Sequence, residues 1–120
     1  RTVVGANAYA IARSDDKQKQ FHNILRGIGF DVKLKPFIQR KDGTAKGDWD
    51  VGITLDVFEC SAEVDNVILL SGDGDFDQLM QRIKEKYSVH THVFGVTQLT
   101  AQSLINSVDQ FTAIDHRYLL

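Results

Sequence analysis

The segment Asn66-Val-Ile-Leu-Leu70 limits the choice of fold more than any other part of this chain. It is an unbroken apolar run of strand length, the type expected of a strand covered on both faces. At its carboxyl end the sequence turns at once into Ser71-Gly-Asp-Gly-Asp-Phe76. Phe76, Leu79, Met80 and Ile83 then recur at helical spacing to about Tyr87. A covered strand, a glycine-rich acidic turn and a helix make up one half of a parallel α/β unit.

The remaining residues repeat the alternation. Residues 2–12 (TVVGANAYAIA) read as a strand. Ser14 is the expected N-cap of a first helix with Asp15 and Asp16 in its first turn; Phe21, Ile24, Leu25 and Ile28 form its apolar face and Gly29 ends it. Val32, Leu34 and Pro36-Phe37-Ile38 read as a strand that the proline confines to a sheet edge. Residues 39–47 are a polar loop. A second helix starts at Asp48 or Asp50, with Val51, Leu55, Phe58 and Ala62 on its inward face. Residues 89–95 form a strand, 100–108 a fourth helix, and 111–114 a last extended piece. The pattern predicts one α/β domain, a parallel sheet covered by helices on both faces. A length of 120 residues suits a single domain, and 42% hydrophobic residues excludes intrinsic disorder. The apolar runs are too short to span a bilayer. One cysteine, Cys60, allows no intrachain disulfide, and no basic-then-apolar leader opens the sequence, so the expected location is cytoplasmic.

The net charge of −2 hides a strong segregation. Residues 48–77 hold nine carboxylates (Asp48, Asp50, Asp56, Glu59, Glu63, Asp65, Asp73, Asp75, Asp77) and neither Lys nor Arg. Like charges held ~4 Å apart repel by ~4 kcal/mol at an effective dielectric of ~20. A solvated acidic face or a divalent-cation site would each account for the cluster. Residues 26–47, by contrast, carry six basic groups (Arg26, Lys33, Lys35, Arg40, Lys41, Lys46) against Asp31 and Asp42. A basic apron beside an acidic pocket suits a polyanion, and a merely solvated face is the plainer account.

The acidic turn lies where ligands of open α/β sheets bind, beyond the carboxyl end of a strand. Asp73 and Asp75, one glycine apart, can converge on a hard cation, which requires oxygen ligands. Asp75-Phe-Asp-Gln78 also fits a capping box, so Asp75 has a structural explanation that Asp73 lacks. A calcium loop is excluded by Gln78 and Lys84 at its sixth and twelfth positions, and a dinucleotide fingerprint by Asp77 where a third glycine belongs. Asp50, at a helix start, is a further ligand candidate, although the dipole alone favours an acid there. Asp56 lies about 120° round the helix from Asp50 and fits a helper role or an ordinary polar face. His90 and His92 share a strand face at a spacing that can bind zinc, but no third His or Cys is near in sequence, and packing or surface roles are expected. His22 reads as a neutral filler and Cys60 as a small core hydrophobe; Trp49 could stack on a base, but a lid over the second helix start is the expected role.

Together these residues resemble a known pattern. Lys46-Gly, Asp50-Val51, Asp56, then Val67-Ile-Leu-Leu-Ser71-Gly-Asp73-Gly-Asp75-Phe76 and Leu79, then Ser103-Leu104 and Asp109-Gln-Phe111 are similar to the NYN domain, in its bacterial LabA-like branch of the PIN-like nuclease superfamily. The resemblance implies a PIN-like sheet of order resembling 3-2-1-4-5 and a metal-dependent ribonuclease. By the same resemblance Asp50, Asp73 and Asp75 are catalytic and hold Mg²⁺ or Mn²⁺, Asp56 helps, and Ser71 positions the loop. Lys46 corresponds approximately, and with Arg40 and Lys41 it would grip the substrate. Residues 2–12 match the family's second strand, so its first strand and aspartate are expected to lie outside this sequence. The expected reaction is hydrolysis of single-stranded RNA by metal-activated water, leaving a 5′-phosphate and a 3′-hydroxyl. The rival is a non-catalytic RNA- or protein-binding module on the same fold. No membrane partner is expected, and a homodimer is left open.

Overall fold

The computed structural model describes residues 3–12, 16–36, 38–39, 45–46 and 49–115. The chain resolves into two compact units, residues 1–49 and 50–120.

The first unit is a parallel β-α-β. Strand β1 (Asn7–Ala12) leads to helix α1 (Asp16–Ile28) and then to strand β2 (Asp31–Pro36), with Asn7 opposite Asp31 and Ala12 opposite Pro36. Asp16 and Arg26 stand at the helix ends where the dipole favours their charges. Gly29, at φ +122°, turns the chain out of α1, and the Phe30 N–H reaches back to the Leu25 carbonyl at 3.0 Å. The Trp49 indole N–H donates to the Ala10 carbonyl at 2.9 Å, and its ring meets Tyr9 edge-on at 5.3 Å. Lys33 of the basic stretch lies over the Tyr9 ring. Two expectations change here. Phe21, Ile24 and Ile28 remain exposed and the buried residue of α1 is His22. The stretch after Pro36 is not one strand and a loop: β3 (Ile38–Gln39) pairs antiparallel with β4 (Ala45–Lys46). The expected N-cap Ser14, together with Arg40 and Lys41, lies outside the described residues.

The second unit holds the core. Helix α2 (Asp50–Cys60) runs through a 3₁₀ turn to strand β5 (Asn66–Leu70). A second 3₁₀ turn, Gly74–Phe76, leads into α3 (Asp77–Tyr87), β6 (His90–Gly95), a third 3₁₀ turn at Thr97–Leu99, α4 (Gln102–Ser107) and β7 (Gln110–Ala113). The sheet order is β5-β6-β7, all parallel, with Asn66 opposite His90 and His92 opposite Gln110. Ser88, at φ 56°, closes α3 with its N–H on the Lys84 carbonyl. Phe76, Leu79, Met80, Ile83, Val89, Val93 and Leu104 are buried together, and Ile53, Val57, Phe58, Val67, Leu69 and Phe111 pack on them. The helical stripe read along 76–83 is thus the centre of the core.

Three sequence expectations in this unit fail. The apolar run of β5 is covered on one face only: Val67 and Leu69 are half-buried, whereas Ile68 and Leu70 are 58% and 69% exposed. In α2 the helix is as read, but of its expected stripe only Phe58 meets the core, beside Ile53 and Val57, while Val51, Leu55 and Ala62 stay exposed. Cys60 is exposed instead of buried. Parallel sheets flanked by helices nonetheless give the α/β architecture read from the sequence. Among the described residues no helix is long and apolar enough to cross a membrane.

Candidate metal centre

Two segments of the second unit carry the acidic residues of interest. Asp50 is the first residue of α2, and its carbonyl already accepts the Thr54 hydroxyl at 2.7 Å. Asp73 follows β5 in extended conformation (φ −76°, ψ 117°) and its Oδ1 accepts the Asp75 N–H at 2.9 Å. Asp73 therefore caps the 3₁₀ turn. This reverses the expectation that Asp75 was the capping residue: α3 begins two residues later, with Phe76 at its N-cap and no side-chain cap bond. The capping bond uses one Asp73 oxygen and leaves Oδ2 for a cation. Ser71 holds the loop from below, its Oγ accepting the Asp73 N–H at 3.1 Å.

The folding of these segments brings Asp50, Asp73 and Asp75 together, each with one carboxylate oxygen within 4.8 Å of the others. Asp73 and Asp75 are exposed and Asp50 is half-buried. Three hard oxygen donors at this separation could hold a divalent cation that prefers oxygen ligands. Such an ion would also relieve the mutual repulsion of three like charges. Asp56 lies half-buried on α2 and is not one of the three. Lys46 pairs through its backbone with Ile38, and its side chain lies outside the described residues.

The acidic loop is braced by residues that the sequence reading missed. A Cβ at Gly72 would overlap the Leu99 carbonyl oxygen, and one at Gly74 would come 2.9 Å from the Ala101 Cβ. A Cβ at Gly95, at the end of the adjacent strand, would come 2.5 Å from Thr100 Oγ1 and 3.2 Å from the Ser71 carbonyl. The Ala101 N–H donates to the Gly72 carbonyl at 3.0 Å, and Thr100 Oγ1 donates to the Val96 carbonyl at 2.7 Å. The turn after β6 and the turn after β5 are thus packed backbone to backbone. The available signal was the pair Gly72 and Gly95, two glycines at the carboxyl ends of neighbouring strands.

The histidines do other work. His92 Nε2 lies 2.7 Å from Thr112 Oγ1 and its ring stacks on Phe94 at 4.2 Å. His90 stands between Asp109 and Gln110. Burial, with the charge of His90 adding to it, holds the His92 imidazole below its ordinary value.

A parallel α/β layer in which two carboxylates beyond the end of a strand meet a third at a helix start makes a site that could hold a hard cation. The chain belongs to the NYN domain family, whose model matches residues 1–115. The LabA-like resemblance stands with it: the low amplitude and bright protein LabA of Synechococcus elongatus is 27% identical over 115 residues, 91% of this chain and 61% of that protein. The chain thus spans about three-fifths of the length of that relative. A crystal structure of a Vibrio parahaemolyticus protein of unknown function, VPA0982, superposes with a TM-score of 0.91 at 61% identity, covering 98% of this chain and 72% of that one. NYN domains fall within the PIN-like nuclease superfamily, whose NYN members are metal-dependent.

Proposed function

We propose that this chain is the catalytic domain of a metal-dependent ribonuclease. The observation that carries the reading is the meeting of Asp50, Asp73 and Asp75. In this reading the three carboxylates hold Mg²⁺ or Mn²⁺, and the Ser71 and Asp73 hydrogen bonds fix the loop that presents two of them. The bound cation would supply charge neutralisation at the phosphodiester and activation of water. Water oxygen joins phosphorus, the bond to the 3′-oxygen breaks, and the proton passes to that leaving oxygen. The products are a 5′-phosphate and a 3′-hydroxyl. Single-stranded RNA is the proposed substrate, gripped outside the centre by Lys46, Arg40 and Lys41, with Asp56 as a helper. A cytoplasmic location belongs to the same proposal. So does a single domain over residues 1–120.

The test is Asp73→Asn, which keeps an oxygen for the Asp75 N–H and removes the charge. Mn²⁺-dependent cleavage of single-stranded RNA should be abolished, and specific Mn²⁺ binding by calorimetry should disappear. An unchanged Mn²⁺ isotherm in the variant would leave a binding module as the better reading.

A further inference from the structure

The turn that braces the acidic loop also displays a side chain with no internal use. Leu99 is 75% exposed, yet its backbone is held at both its N–H and its carbonyl. Its N–H donates to the Val96 carbonyl at 2.8 Å, and its carbonyl is pressed on Gly72, the residue before Asp73. Leu70, three residues before Asp73, and Val51, next to Asp50, are exposed as well. Isolated surface leucines need no explanation, but here the start of α2, the end of β5 and the 97–99 turn each carry an uncovered aliphatic side chain.

Resting on the nuclease reading above, we propose that Leu99 is a substrate-contacting residue, the apolar platform for an unpaired base beside the phosphate taken at the three carboxylates. The carboxylates repel a nucleic acid except through the cation, so local affinity needs a neutral contact. Unpaired bases offer apolar faces that a duplex hides in its own stack, and contact with a face is indifferent to which base is present. A rigid turn keeps the cost of ordering that contact low. The platform therefore favours unpaired over paired strands without choosing a sequence.

The experiment measures fluorescence anisotropy of a labelled single-stranded oligouridylate with Mn²⁺, and calorimetric Mn²⁺ binding without RNA. It compares the unaltered chain with Leu99→Ala, Leu99→Met and Asp73→Asn. Loss of most of an aliphatic contact should weaken RNA binding about five- to tenfold in Leu99→Ala. Leu99→Met should restore it, and both variants should bind Mn²⁺ as the unaltered chain does. Equal RNA affinity in Leu99→Ala overturns the proposal, as does failure of the unaltered chain to bind the oligonucleotide. A parallel loss of Mn²⁺ affinity or folding in Leu99→Ala would show a bracing role and also overturn it. An equal loss on a duplex of the same length would remove the preference for unpaired bases. The nuclease reading is tested separately: it fails if Asp73→Asn binds Mn²⁺ normally, whatever Leu99 does.

Discussion

Thr91 and Asp109 hold each other by three hydrogen bonds. The Thr91 N–H and hydroxyl both donate to Asp109 Oδ2, at 3.0 and 3.2 Å, and the Asp109 N–H donates to Thr91 Oγ1 at 3.0 Å. Thr91 is fully buried on β6, and Asp109 immediately precedes β7. The pair fixes the entry of β7 beside β6. It also gives the Asp109-Gln-Phe111 element of the family pattern a structural role.

Asp109→Ala should therefore destabilise the chain by about 1–3 kcal/mol, because it strands a buried donor and hydroxyl on Thr91. Urea unfolding checks this. Mn²⁺ binding to the folded fraction should be unaffected, since Asp109 is outside the carboxylate trio.

Acid should lower the stability of the chain in two steps. Burial lowers the His92 pKa from its ordinary 6.5, so the folded state resists protonation. Asp109 is held below its ordinary 3.8 chiefly by the Thr91 N–H, with burial opposing and the Thr91 hydroxyl, Lys84 and His90 assisting. In both cases the unfolded chain takes up protons first, so stability is complete above the unfolded value and is lost as pH falls through the folded one. Melting temperature should fall as pH drops below about 6.5 and fall again below about 3.8. His92→Gln should diminish the first decline, as read by thermal melts across the range.

The two roles of Asp73 separate chemically. Asp73→Asn should leave the melting temperature almost unchanged while removing Mn²⁺ binding. Asp73→Ala should lose Mn²⁺ binding and also about 1 kcal/mol of stability through the missing cap. Calorimetry and urea unfolding of both variants distinguish them.

Gly72→Ala should be the most damaging small change in the acidic loop, because its methyl group meets backbone that cannot swing aside. Overpacking of this kind costs about 1–3 kcal/mol, and the Mn²⁺ affinity of the folded fraction should fall as the loop shifts. Gly27→Ala, on open surface within α1, is the matched control: it should leave Mn²⁺ affinity unchanged and, through helix propensity, raise stability by up to about 1 kcal/mol.

Much of this was legible in the residues. The 76–83 stripe and the acidic turn were readable because periodicity and charge spacing act locally, whereas the grouping of Asp50 with Asp73 and Asp75 was implied by the family resemblance. The inward face of α2 was not, since DVGITLDVFEC offers two apolar stripes and only the neighbouring helix and sheet choose between them. The exposure of Ile68 and Leu70 escaped for a similar reason: an unbroken apolar strand carries no alternation to mark its open face. The Asp73 cap was misassigned because a 3₁₀ turn precedes α3 and moves the capping position two residues upstream. The β3–β4 hairpin has two-residue strands, too short for any period.

The interlocked turns at 71–75 and 95–101 also bear on engineering. Anyone grafting the acidic segment into another scaffold would have to transplant its companion, because each rests on the other's backbone. Lengthening one without the other would spoil the geometry even if every aspartate were retained.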